Sequence, residues 1–110
     1  MIETIVRDHL TAAGFPAYME VPENPEAEYL LIEKTGSSKR NTIRSAAIAI
    51  QCISRKSLFR AAQMCDQVID VMEGLADEAE VFGCKLVSDY NYTNTETKEY
   101  RYQAVFTINY

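Results

Sequence analysis

Apolar positions recur along the chain at two different periods, and the points where the period changes divide it into elements. Residues 2–13 place Ile2, Ile5, Val6, His9, Leu10 and Ala13 at helical spacing, with Glu3, Arg7 and Asp8 on the other side. This predicts an amphipathic first helix ended by Gly14. Phe15-Pro16 then forces an extended path into residues 17–21, a short strand at best, and Pro22 and Pro25 make residues 22–26 a loop because proline cannot continue a central strand. Residues 28–35, rich in Tyr, Leu and Ile, predict a strand that stops at Gly36, and the polar run from Gly36 to Asn41 predicts a flexible turn.

Residues 44–53 are the most strand-like run, with Ile48, Ile50 and Cys52 on one face and Ala47, Ala49 and Gln51 on the other. Small residues on the second face would let a helix or another subunit approach closely. From Ser57 onward the period changes to about 3.6. Leu58, Ala61, Ala62, Cys65, Val68, Ile69, Met72 and Leu75 form a broad apolar stripe, with Ser54 or Ser57 as N-cap and Gly74 near the end. The last third predicts a β-hairpin. Cys84, Leu86, Ser88, Tyr90 and Tyr92 alternate on one strand, and Tyr100, Tyr102, Ala104, Phe106, Ile108 and Tyr110 on the other, around a polar loop at 93–97.

The order is helix, two or three strands, long helix, hairpin, with no internal repeat. Strands on either side of one long helix, without repeated βαβ units, predict an α+β fold: a mainly antiparallel or mixed β-sheet with the N-terminal helix and the long helix packed on one face. A chain of 110 residues buries one core but hardly two, so residues 1–110 are expected to be a single domain. With 47% apolar and 25% charged residues the composition is ordinarily globular. The longest uncharged stretch in an apolar segment runs from Ser45 to Ile53, far short of the roughly 20 residues that span a bilayer. No membrane role is expected. Acids at Glu3 and Asp8 stand where a secretory leader would carry bases.

Candidate chemistry is sparse. His9, the one histidine, sits at the edge of the first helix's apolar stripe and fits a partly buried structural role. No Ser-His-Asp set can be assembled, and enzymatic activity is not expected. Asp66, Asp70, Glu73 and Asp77 recur on the outside of the long helix, where a solvated face explains them better than a cation site. The run from Thr35 to Arg40 lacks the glycines and the Gly-Lys-Ser/Thr ending of a phosphate loop. Cys52, Cys65 and Cys84 contain no Cys-x-x-Cys pair and fit small apolar core positions. No cofactor and no metal is expected.

Charge distribution changes the picture. Lys34, Lys39, Arg40, Arg44, Arg55, Lys56 and Arg60 are seven bases with no acid among them, whereas the rest of the chain carries all 16 acids and four bases, for a net charge of −5. A basic flank on an acidic protein lets one copy stack on the next, facing acids such as Glu23, Glu26, Glu28 or Asp77, and a head-to-tail contact that closes makes a ring. Ordinary clustering of surface charge is the plainer reading. A nucleic-acid-binding or regulatory α+β module is the functional rival, weakened by the negative net charge and by the absence of aromatics among the bases. Tyr90, Tyr92, Tyr100, Tyr102 and Tyr110 suit half-buried strands and subunit contacts alike.

The segment Tyr29-Leu30-Leu31-Ile32-Glu33-Lys34-Thr35-Gly36-Ser37-Ser38-Lys39-Arg40-Asn41, followed by residues 46–51 and the long helix, resembles small tail terminator or tail-completion proteins of long-tailed bacteriophages and prophages. In that group an apolar strand ends in a Glu/Arg-Lys-Thr-Gly turn, a polar arginine-bearing loop follows, and then come an "Ile-x-Ile-Gln" strand and an alanine-containing helix. The resemblance spans residues 1–110 in order of elements and residues 29–72 in recognisable sequence. It implies a homo-oligomeric ring, commonly a hexamer, made in the host cytoplasm and placed in the virion. Such a ring caps the tail tube protein and joins it to the head connector protein. The loop from Gly36 to Ile43 would match the loop that projects from such rings. Lys39, Arg40 and Arg44, with Arg55 and Lys56, would be interaction residues toward a neighbouring subunit, the tube or passing DNA. Head-side connectors and neck proteins of similar size share this assembly logic.

Overall fold

The computed structural model describes residues 1–40, 43–77, 81–93 and 99–110. In chain order the elements are α1 (Ile2–Ala12), β1 (Ala17–Tyr18), β2 (Glu28–Arg40), β3 (Ile43–Ser54), α2 (Leu58–Glu73), a 3-10 turn (Gly74–Asp77), β4 (Gly83–Asn91) and β5 (Tyr100–Asn109). Among the described residues the strands form one sheet in the order β1-β2-β3-β5-β4. β1 runs parallel to β2, and the other neighbours are antiparallel. The fold is α+β with a mixed sheet, as the pattern predicts.

Even-numbered side chains of β3 explain where the helices sit. Ile48, Ile50 and Cys52 are fully buried and share a cluster with Val6 and Leu10 of α1, with Met64, Cys65, Val68 and Met72 of α2, and with Ala104, Phe106 and Ile108 of β5. Both helices therefore cover the same face. Ser57 caps α2, its Oγ accepting from the Arg60 amide at 3.1 Å, which relieves one of the helix's unpaired amides. Gly14 ends the first helical segment at φ 100°, a conformation that strains any residue with a Cβ.

Three sequence expectations change. The expected strand over 17–21 shrinks to Ala17–Tyr18, which pairs with β2 and is preceded by a bond from the Leu30 amide to the Pro16 carbonyl at 2.8 Å, and it ends ahead of Pro22, which has no amide to extend a ladder. The expected turn at Gly36 to Asn41 is strand as far as Arg40, and the hairpin connection falls at residues 41–42, outside the described residues. A bulge at Thr35 resets the register between Lys34 and Gly36, and the partner strand is itself held by β5, so polar residues are retained in the ladder. Strict alternation along β4 fails at a second bulge, Val87, which leaves Cys84 and Leu86 on the helix side and turns Ser88 and Tyr90 to the other. The 94–98 part of the hairpin loop lies outside the described residues.

Candidate interaction site

β3 has a basic group at each end, and the two groups are built differently. Its 12 residues, at roughly 3.3 Å each, put Arg44 and Arg55 on the order of 35 Å apart. The seven bases therefore do not form one flank.

At the Ser54 end the bases serve the fold. Arg60 Nε lies 2.7 Å from Glu28 Oε2 and Lys56 Nζ 3.8 Å from Oε1, while Ser54 Oγ donates to Oε2 at 3.2 Å. Burial pushes the Glu28 carboxyl up, but hydrogen bonds from Arg60 and Ser54 and the nearby cations outweigh it and hold the group below the usual carboxylate range. This node ties the start of β2 to the end of β3 and the first turn of α2. Glu28 is thus engaged within its own chain, and the exposed Glu26 accepts from Tyr18 Oη at 2.7 and 2.8 Å. Arg55 is exposed, with its amide bonded to the Ala27 carbonyl.

At the other end the bases have no such anchor. Lys39 lies directly opposite Arg44 in the ladder, and both are exposed on the helix side of the sheet, beyond the core. Neither has an ion pair among the described residues. Like charges set directly across a sheet repel, so this pair costs the isolated chain a little stability. Lys34 stands exposed on the same face. The Arg40 backbone pairs with Ile43, which places it at the tip.

Among the described residues no helix covers the opposite face, yet several of its side chains are buried. Tyr29, Ala49, Gln51, Ile53 and Gln103 are buried there. Arg101 donates to Gln51 Oε1 at 3.2 Å and pairs with Glu99 at 3.5 Å, and Gln103 Nε2 donates to Tyr90 Oη. The small residues Ala47 and Ala49 thus adjoin a polar ladder and not a second helix. The tyrosines differ in burial. Tyr102 and Tyr110 pack against the core, whereas Tyr90 and Tyr92 stack on each other with ring centres 6.2 Å apart and are exposed.

The remaining candidates are structural. His9 Nε2–H donates to the Val71 carbonyl at 2.8 Å, joining α1 to the end of α2. Asp66, Asp70, Glu73 and Asp77 are exposed, and no group of metal-binding side chains occurs among the described residues. Cys52 and Cys65 are fully buried, and Cys84 is half-buried, its thiol pushed up to about 11 by burial. No described helix is long and apolar enough to cross a membrane.

Two strand edges were missed by sequence reasoning. The outer edge of β4 and that of β2 beyond Leu31 have no strand partner among the described residues. The signal was present in the charged and polar residues spaced along both strands, Lys85 and Asp89 in one and Lys34 and Lys39 in the other.

No family model matches the sequence, and no curated protein matches it. The fold is similar to that of a chain in the virion of a native gene transfer agent particle, with a TM-score of 0.74 at 17% identity, over 98% of this chain and 92% of that one. At that identity the likeness is one of fold.

Proposed function

We propose that this chain is a structural virion protein of a phage-like particle, a single domain that assembles into a ring, caps the tail tube and joins it to the head. The observation that carries the reading is the fold shared, nearly end to end, with a chain of a gene transfer agent virion. Support comes from the residues themselves. The sheet extends to a tip where Lys39 and Arg44 have no ion pair among the described residues, whereas the bases around Glu28 do. The reading also needs no catalytic group: the one histidine and the carboxylates of α2 are placed as structural or solvated residues.

The test is genetic and visual. Deleting the coding sequence from the particle-producing element should leave separate heads and tails in electron micrographs, with tails of irregular length, and supplying the protein in trans should restore joined particles. Normal particles from the deletion strain would exclude the role. A regulatory or nucleic-acid-binding module would instead change particle number without producing unjoined parts, and the purified protein would bind DNA or RNA with steep salt dependence.

A further inference from the structure

We propose that the outer edge of β4 pairs, antiparallel, with the outer edge of β2 in a second copy of this chain, so that one sheet runs on through neighbouring subunits. The inference deepens the ring reading and rests on it, but the surface is argued from the edges themselves. β4 presents nine residues with no outer partner among the described residues, and β1 covers only Leu30 and Leu31 of the 13-residue β2. A long unpaired edge is a template for another chain. This protein has two, and they are different.

Their directions fit. β2, β3, β5 and β4 are successively antiparallel, so β4 runs opposite to β2, and a copy set beside the sheet in the same orientation offers its β2 antiparallel to β4. Because one edge meets a different edge, the contact is head-to-tail and leads to a closed ring when the rotation closes. Isologous pairing of β4 with β4 would give only dimers.

Their side chains select a register. Each edge has one bulge, Thr35 in β2 and Val87 in β4. Setting Thr35 opposite Ser88 and Gly36 opposite Val87, so that the two bulges lie side by side, offset by one residue, keeps the flanking residues on their proper faces, which a slip of one residue would not. On the helix side, Asp89 then meets Lys34. Lys39 falls opposite Cys84, whose cleft under α2 is also lined by Glu73, so the cation left facing Arg44 in its own chain gains an acid. On the open face Tyr90, 43% exposed, falls opposite Glu33. Apolar side chains that the free edge leaves in water, Leu86 and Val87, are covered by the incoming strand.

Charge reversal with rescue tests the register. Lys34→Asp and Asp89→Lys should each shift the purified protein from multimer toward single chains in sedimentation at low salt, with unchanged circular dichroism, and the two together should restore the multimer. A disulfide provides a second readout that does not depend on the charges. With Cys84 changed to Ser, the pair Ser37→Cys and Leu86→Cys should form a ladder of covalently linked chains on mild oxidation, and either cysteine alone should not. Closed rings that survive both single reversals, or that fail to cross-link, would overturn edge pairing while leaving the ring reading intact. A wild-type protein that stays a single chain at every concentration would overturn edge pairing as well, and the head-to-tail role would then stand or fall on the deletion strain alone.

Discussion

The two ends of β3 carry similar basic residues in opposite circumstances. At the Ser54 end, Arg60 and Lys56 converge on one carboxylate that is mostly shielded from water, with Glu28 17% exposed, and the result is a brace between β2, β3 and α2. At the Ile43 end, Lys39 and Arg44 face each other across the ladder without an acid among the described residues. The difference separates charge that maintains a fold from charge that the fold leaves unpaired among the described residues. In sequence the two groups belong to one acid-free run, and only the length of the intervening strand divides them.

The largest effect expected from any substitution lies beneath both ends. Val68 is fully buried between α2 and the sheet, and Val68→Asp places an unpaired charge there at a cost on the order of 5 kcal/mol, comparable with the whole stability of a small domain. The chain should fail to fold, and circular dichroism should show it. Ile69→Asp, one position along, should be milder because Ile69 only borders the core at the cleft beside Leu86. Equal loss in both variants would show that the rim is as tightly packed as the core.

Glu28→Ala comes next. It removes the acceptor from Arg60 and Ser54, and hydrogen bonds to a charged group are worth about 2 kcal/mol in such settings, so the melting temperature should drop by roughly 8 °C. A drop under a degree or two would mean that the brace is ornamental and the comparison between the ends empty. The same site predicts a pH dependence. The carboxyl of Glu28 is held below its ordinary value near 4.5, so its stabilisation is present above that value and is lost as pH falls through the depressed one. The gap in melting temperature between the native protein and Glu28→Gln should therefore stay constant near neutrality and close only in acid, below about pH 4.5. A gap that persists unchanged to the lowest pH would locate the stabilisation elsewhere.

Much of this arrangement was legible in the residues before any coordinates. Period-two alternation in β3 and the 3.6-residue stripe of α2 identify the covered face, since apolar spacing is imposed by burial itself. Polar composition misled at Gly36 to Arg40, where it reads as a turn. An edge strand is solvated on its free side and tolerates such residues, so composition does not distinguish it from a loop. Nor does alternation reveal a bulge. Thr35 and Val87 each add one residue to a strand that otherwise keeps its period, and the hydroxyl of Thr35, 3.4 Å from the Ala47 carbonyl, becomes meaningful only once the partner strand is known. The brace at Glu28 joins residues 32 apart, a proximity that only the register of β2 on β3 creates.

The smallest expected effect is the one that divides the two ends most sharply, because its sign is reversed. Lys39→Glu replaces a like-charge pair with an opposite-charge pair across from Arg44, and cross-strand pairs of this kind contribute a few tenths of a kcal/mol up to about 1 kcal/mol when exposed. The isolated chain should therefore melt slightly higher than the native one at low salt, and the gain should fade as salt is added. Assembly should move the other way. Under the proposed edge pairing the same substitution would set a carboxylate against Glu73 of the neighbour, and the repulsion would recur at every interface of a ring, so a small penalty per contact would shift the whole multimer toward single chains. Thermal melts and sedimentation on one preparation read both quantities. A chain made less stable by Lys39→Glu would show that Lys39 is already satisfied within its own fold. A chain made more stable but no less assembled would remove the tip from the subunit contact and leave the tube or the DNA as its partner.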